Sequence, residues 1–169
     1  MRPRRRGRWT ARRSRGPSSP APAGSTGGKK ATGVKRHAVV DTVGLVWGLC
    51  VTPANVADGT GARAAVREAH AASGGRLARL WADSAYRGLF AAFCWVLFDL
   101  AVEVVRRREG AVGFEVIPRR WVVERTFGWL TRWRRLNRNY EHTLASSKAV
   151  VQVALIGIMT RRLAKTNKA

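Results

Sequence analysis

The chain has 169 residues, enough for one domain with a hydrophobic core, and carries a formal net charge of +22 with a pI near 11.9. So large an excess of positive charge attracts a polyanion, and nucleic acid is the commonest one. The arginine-rich N-terminus lacks the apolar segment of a secretory signal, and the apolar run at 149–159 is too short to span a bilayer. Composition therefore predicts a soluble protein without a membrane partner.

Two cysteines in apolar runs, Cys50 and Cys94, lack metal-ligand spacing and are expected to be buried thiols.

Residues 1–28 contain eight arginines and four prolines but no hydrophobic period. This composition predicts a disordered basic tail over residues 1–27. Three interpretations remain open for it: a solvated tail without a specific role, a phosphate-binding arm, or an out-of-frame translation.

The rest of the chain alternates strand-like and helix-like patterns. In chain order we predict a hairpin (36–40 and 44–51), a helix (55–73), a strand ending at Asp83, a helix (87–97), two short strands (101–105 and 114–117), a basic helix (119–136) and a final helix (146–163) capped by Ser146. A hairpin followed by alternating helices and strands predicts an α/β domain with a mixed sheet flanked by helices.

Asp83 ends a short apolar run and precedes a turn of small residues. A carboxylate at the carboxyl end of a buried strand is placed to hold a metal ion or to act as an acid. The alternative is a helix N-cap, in which the side chain accepts hydrogen bonds from the next backbone N–H groups.

Glu124 follows forty-one residues later, on a helix rich in arginine and tryptophan. It is either a functional acid or the partner of Arg120 in a surface ion pair, which contributes little to stability. By contrast, Asp41 and Asp58 fit a turn and a helix entry, and His37 is given no catalytic role.

Basic residues concentrate in two places, and both are candidates for nucleic-acid contact. One set precedes the hairpin and the other lies on the basic helix: Lys29, Lys30, Lys35 and Arg36, then Arg120, Arg125 and Arg132. Arginines interleaved with Trp121, Trp129 and Trp133 suit phosphate contact, with the tryptophans either in the core or stacked on bases.

Five motifs in order resemble the DDE transposases of bacterial insertion sequences, most closely the insertion sequence five and four-like group. They lie at residues 28–37, 40–44, 51–58, 81–86 and 119–130. The resemblance covers residues 28–163 and implies an RNase H-like fold that cleaves and transfers DNA strands with two Mg²⁺ or Mn²⁺ ions. Carried over by position, Asp83 is the second and Glu124 the third of three metal-binding acids. Arg120 matches a signature arginine, whereas Ile117 and Thr131 replace the signature tyrosine and lysine.

The first acid of that family lies on an opening strand upstream of Lys29, where this chain has no acid. We therefore expect a truncated or frameshifted copy that lacks the first strand. Its expected organisation is a tail (1–27), a partial catalytic domain (28–164) and a short C-terminal tail (165–169).

Such a chain is expected in the bacterial cytoplasm, associated with DNA and inactive alone. Its expected partners are transposon terminal repeats, target DNA, and a second copy or a full-length transposase. A non-catalytic, basic DNA-binding or regulatory protein is the alternative function. A ribosomal-type basic protein is disfavoured by the ordered acid motifs.

Overall fold

The computed structural model describes the backbone of residues 5–15, 24–25, 32–105 and 118–166, and the side chains of residues 33–105 and 121–164. The strands are β1 (Arg5–Arg15), β2 (Gly24–Ser25), β3 (Thr32–Asp41), β4 (Val46–Pro53), β5 (Leu77–Ala82) and β6 (Ala101–Val104). The helices are α1 (Asp58–Ala72), α2 (Leu89–Phe98), α3 (Pro118–Thr131) and α4 (Leu144–Thr166), with short 3₁₀ helices at Ser84–Tyr86 and Arg134–Leu136.

The strands form one mixed sheet in the order β2-β3-β1-β5-β6, with β4 paired to the other strand of its hairpin, β3. β1 and β5 are parallel, as are β5 and β6, whereas β2 and β3 are antiparallel. The α/β class and the mixed sheet predicted from the sequence are thereby confirmed.

β1 corrects the expectation of a disordered tail and a missing first strand. Residues 5–15 form a strand in the middle of the sheet, between β3 and β5, and β2 also precedes residue 28. Composition misled the prediction because a gap between two strands offers unpaired backbone N–H and C=O groups to any chain that can fill it. Backbone pairing of this kind needs no hydrophobic period.

Most other elements lie where the sequence predicted them. The hairpin turn is closed by the Asp41 N–H, which donates to the Leu45 carbonyl at 2.9 Å, and α1 ends before Gly74 and Gly75, both with positive φ. The basic helix ends at Thr131 rather than at residue 136, and α4 extends to Thr166, into the predicted C-terminal tail. The predicted strand at 114–117 lies outside the described residues.

The cap of α4 also differs from the prediction. Thr143 precedes the helix, and its Oγ1 accepts from the Ser146 N–H at 3.0 Å, while Ser146 Oγ accepts from the Thr143 N–H at 3.3 Å. Thr143 is therefore the N-cap, and Ser146 is its reciprocal partner in a capping box.

The chain divides into two compact units. The first unit comprises Met1–Ala11, His37–Cys50 and Ala57–Thr126, and the second comprises Arg12–Arg36, Val51–Val56 and Phe127–Ala169. The core of the first unit contains residues from β3, α1, β5, the 3₁₀ helix Ser84–Tyr86 and α2, among them Val39, Val66, Leu80, Tyr86, Phe90 and Cys94. Burial raises the pKa of the Cys94 thiol to about 12, so the thiol is protonated at neutral pH. Cys50 is half-buried, so complete burial holds for one of the two cysteines only.

α4 has a residue span, Leu144–Ala164, that is long and apolar enough to cross a membrane by length and composition. The apolar run at 149–159 is too short to cross a bilayer, but the length of the whole helix does not exclude a membrane-spanning segment. The same criterion is met by core helices of soluble proteins, but in α4 Val151, Ala154 and Leu155 are buried while only 22% of the apolar window is buried in all.

Candidate active site and nucleic-acid interface

Asp83 follows β5, whose last three residues, Leu80, Trp81 and Ala82, are all buried. Its Oδ1 accepts from the Ala85 N–H at 2.9 Å and so caps the 3₁₀ helix Ser84–Tyr86. The capping interpretation is therefore correct for one carboxylate oxygen. A carboxylate has a second oxygen that can accept further bonds, so the cap does not preclude a metal-binding role.

Asp83 lies where parallel strands end side by side. β5 runs parallel to β6, with Ala82 opposite Val104, and the Val105 N–H donates to the Ala82 carbonyl at 2.8 Å. On its other side β5 pairs with β1, where Arg8 stands opposite Trp81. The carboxyl ends of parallel strands are where α/β sheets present side chains to ligands.

Glu124 lies on α3 and is exposed, whereas Val123, Thr126 and Phe127 on the same helix are buried. It shares the first unit with Asp83. The predicted partner Arg120 belongs to α3, but its side chain lies outside the described residues, so the ion-pair interpretation remains a prediction.

Arg125 is held in place by two contacts. Its guanidinium lies over the Trp121 ring, with Cζ 4.7 Å from the ring centroid, and its Nη2 donates to the Val43 carbonyl at 3.3 Å. Trp121 is 44% exposed, so of the two alternatives given for the tryptophans the core position does not hold for this one. These contacts tie the first turns of α3 to the β3–β4 turn.

Asp41 is structural, as predicted. It is buried, and its Oδ1 accepts from the N–H groups of Val43 at 3.0 Å and Leu45 at 2.9 Å, while its Oδ2 accepts from Trp47 Nε1 at 3.2 Å. Both oxygens serve the hairpin turn, so Asp41 does not replace the missing first acid.

The basic residues before the hairpin have a structural role that the sequence did not reveal. Arg36 is 8% exposed and its Nη1 donates to the Leu136 carbonyl at 2.9 Å. Lys35 Nζ donates to the Val56 carbonyl at 2.8 Å. A buried guanidinium cannot contact DNA at the surface, so Arg36 is removed from the candidate interface. Lys29 and Lys30 lie outside the described residues.

A cluster of stacked arginines and tryptophans in the second unit was not predicted. Arg161 lies over Trp133, with Cζ 5.9 Å from the ring centroid, and Arg162 lies over Trp129 at 5.2 Å. We call these four residues the Arg–Trp cluster. Both tryptophans are half-buried and Arg161 is exposed. The signal available in the sequence was the i,i+4 spacing of the tryptophans, which predicts one shared helix face. In the structure Trp133 lies beyond the end of α3, and no sequence pattern links either ring to residues about thirty positions later.

Arg132 and three further arginines that follow α3 have exposed positions: Arg134, Arg135 and Arg138. Arg135 is paired with Glu141, the one acid beyond residue 126. Stacking on an aromatic ring restricts an arginine side chain and engages the flat face of the guanidinium rather than its N–H edge. The arrangement is suited to a polyanion.

A two-metal site of the expected kind needs three carboxylates that converge. Within the described residues, no group of three or more His, Cys, Asp or Glu side chains is placed to hold a metal ion. This part of the chain therefore does not fit a complete two-metal centre.

The sequence profile of the Transposase DDE domain matches residues 8–158. The matched segment includes both Asp83 and Glu124, and it begins within β1 rather than at residue 28. A comparison with curated proteins gives no significant match.

Proposed function

Because the chain belongs to the transposase DDE domain family, we propose that it binds DNA at the ends of a mobile element and derives from an enzyme that cleaves and joins strands there. The observation that carries this proposal is the profile match over residues 8–158, since it covers most of the sheet, both candidate acids and the basic helix α3. A bacterial, DNA-associated location in the cytoplasm follows from the same proposal.

The proposed architecture is RNase H-like. Its support is the central position of β1, between β3 and β5, because the resemblance implies that the opening strand occupies the middle of the sheet. The parallel β5–β6 pair brings two carboxyl ends to the edge where Asp83 lies, and β1 runs parallel beside β5 and continues past this edge to Arg15.

The proposed metal ligands are Asp83 and Glu124. Carboxylates are the ligands that Mg²⁺ and Mn²⁺ prefer, and both residues lie in the first unit. Since the described residues do not supply the full acid set, no cleavage step is assigned to this chain. We propose that the chain alone does not cut DNA.

The proposed DNA-binding residues are Arg125 and Arg132, joined by Arg161 and Arg162 of the Arg–Trp cluster. Lys29, Lys30, Lys35 and Arg120 remain proposed contacts, whereas Arg36 is excluded by its burial. Each arginine that neutralises a phosphate releases a counterion, so the affinity must fall with salt.

Binding to a duplex carrying the terminal repeats that flank the gene tests the first half of the proposal. The affinity is measured by fluorescence anisotropy at increasing salt, with a scrambled duplex as the control. We expect a log–log slope of about −0.9 for each phosphate contacted and tighter binding to the repeats. A salt-independent affinity would exclude phosphate contact and with it the proposed function.

The incomplete acid set favours a second candidate, a DNA-binding regulator that competes with a full-length transposase or forms mixed oligomers with it. A nicking assay with the terminal-repeat duplex and Mg²⁺ or Mn²⁺ tests what the two candidates share, because neither is expected to produce nicks alone. Addition of the chain to a full-length transposase separates them: a regulator lowers nicking by that enzyme, whereas an inactive remnant leaves it unchanged. Nicking that is abolished in Asp83→Asn and Glu124→Gln would instead show an active enzyme.

A further inference from the structure

The register of the central strands identifies which residue stands beside Asp83. Arg8 on β1 pairs with Trp81 on β5, and the two strands are parallel. Continued by two residues beyond these pairs, and one residue past the end of β5 at Ala82, the same register would place Thr10 opposite Asp83. Thr10 lies within β1, which extends to Arg15. By backbone register alone, residue 10 would thus be the position of the neighbouring parallel strand that stands beside Asp83.

The genetic code supplies an independent observation at the same residue. Trp9 has a single codon, UGG, and every threonine codon begins with AC. The last nucleotide of the Trp9 codon and the first two of the Thr10 codon therefore read GAC, a codon for aspartate, whatever synonymous codons the gene uses. The preceding triplet in that frame ends in UG and encodes leucine, methionine or valine, which are residues suited to a buried strand.

Trp9-Thr10 is the one dipeptide in residues 1–28 for which a shifted frame gives aspartate irrespective of codon choice. Such an outcome requires a first residue whose codon must end in G, followed by one whose codon begins with AC or AU. The strand register and the codon argument use different data, and both lead to Thr10.

We propose that Thr10 occupies the position of the missing first acid, and that the Trp9 and Thr10 codons carry that aspartate in the frame that starts one nucleotide earlier. This inference rests on the proposed function, because it takes Asp83 to be a metal ligand. It revises the idea of a truncation: the opening strand is present, and its acid is replaced.

Thr10→Asp in the full chain tests the protein side of the proposal. Mn²⁺ binding is measured by titration calorimetry and by the decrease of the free Mn²⁺ resonance in electron paramagnetic resonance. We expect Thr10→Asp to bind Mn²⁺ at least about tenfold more tightly than the wild-type chain, since affinity rises with the number of charged ligands.

Thr10→Asn is the matched control, because it has the shape of aspartate without the charge. The gain in Mn²⁺ affinity must be absent in Thr10→Asn and must disappear in the double variant Thr10→Asp with Asp83→Asn. Equal binding by Thr10→Asp and Thr10→Asn, with both variants folded by circular dichroism, would overturn the assignment, as would a gain that survives Asp83→Asn.

The nucleotide sequence of the gene tests the codon side of the proposal. An open shifted frame across codons 1–28 supports a change of frame, whereas a stop codon between codon 10 and codon 28 in that frame overturns it. Salt-dependent binding to terminal repeats, measured on the same proteins, separates the two proposals. If the salt-dependent DNA binding is present but Thr10→Asp gains no affinity for Mn²⁺, the Thr10 assignment alone fails. If DNA binding by the wild-type chain is independent of salt, the proposed function fails.

Discussion

The two compact units carry equal numbers of basic residues but very different numbers of acids. Each unit has sixteen lysines and arginines, whereas the first unit has nine of the ten acids and the second has Glu141 alone. Positive charge is thus spread over the whole chain, and the position of the acids distinguishes the units. A unit nearly free of acids suits phosphate contact, and the two proposed metal ligands, Asp83 and Glu124, both belong to the other unit.

The units also differ in how they pack. In the first unit small residues bring backbones together, as at Gly48 of β4, which lies against Ala65 and Ala69 of α1. In the second unit the rings of Trp129 and Trp133 lie beneath arginines. The first type of packing tolerates no added atom, while the second has side chains that can shift.

The largest effect on stability is expected from Gly48→Ala in the first unit. The added Cβ would overlap the Ala65 carbonyl oxygen and lie 2.8 Å from the Ala69 nitrogen, so backbone would have to move. We expect a loss of about 3 kcal/mol or more in the free energy of unfolding, measured by urea denaturation. The control is Gly59→Ala, whose Cβ would lie 3.3 Å from Phe90 Cβ and need a small adjustment. Equal stability of the two variants would contradict close packing of α1 on β4.

The Arg–Trp cluster gives the next effect, on DNA binding. The double variant Arg161→Ala with Arg162→Ala is expected to reduce the log–log salt slope by about 0.9 for each phosphate that the protein no longer binds. The matched control removes two exposed arginines of the first unit, Arg67 and Arg79, and so the same net charge. If both double variants change the slope equally, net charge and not the cluster determines binding.

Sequence patterns predicted the elements whose signal is local. The hairpin at Asp41, helix α1 and the strand that ends at Asp83 follow from alternation, turn residues and apolar runs. β1 was missed because its place depends on the gap between β3 and β5 and not on its own composition.

At the candidate site, the sequence proposes Asp83 and Glu124, which remain predictions, and it assigned Arg36 to the surface, where the structure does not place it. The buried bond from Arg36 to the Leu136 carbonyl spans one hundred residues, and no local pattern encodes such a contact. The same reason accounts for Arg161 and Arg162, because the rings on which they stack belong to a distant helix and loop.

Gly157→Ala in α4 is expected to reduce stability less than Gly48→Ala does. Its Cβ would lie 2.8 Å from Cζ2 and 2.9 Å from Cη2 of Trp133, so the ring edge must shift and disturb the stacking of Arg161. The cost of overpacking outweighs the gain in helix propensity, so we expect the free energy of unfolding, measured by thermal denaturation, to fall by about 1 kcal/mol. Gly128→Ala on α3 is the control. Nothing lies within 4 Å of its Cβ, so it should stabilise the protein by about 0.5–1 kcal/mol. A stabilising Gly157→Ala would show that Trp133 does not pack there.

The smallest expected effects come from replacing one ion-paired acid in each unit, Glu141 in the second and Glu103 in the first. Glu141 Oε1 accepts from Arg135 Nε and Nη2, both at 2.9 Å, and its side chain is 15% exposed; the Arg79–Glu103 pair of the first unit, at 2.7 Å, is 44% and 39% exposed. Exposed pairs contribute little because water screens the charges, so Glu103→Gln should cost at most about 0.5 kcal/mol and Glu141→Gln about 1 kcal/mol. Glu141→Gln also removes the one acid of the second unit, and it should therefore tighten DNA binding at low salt while Glu103→Gln changes it less. If Glu103→Gln had the larger effect on both stability and DNA affinity, the division of acids between the units would have no functional meaning.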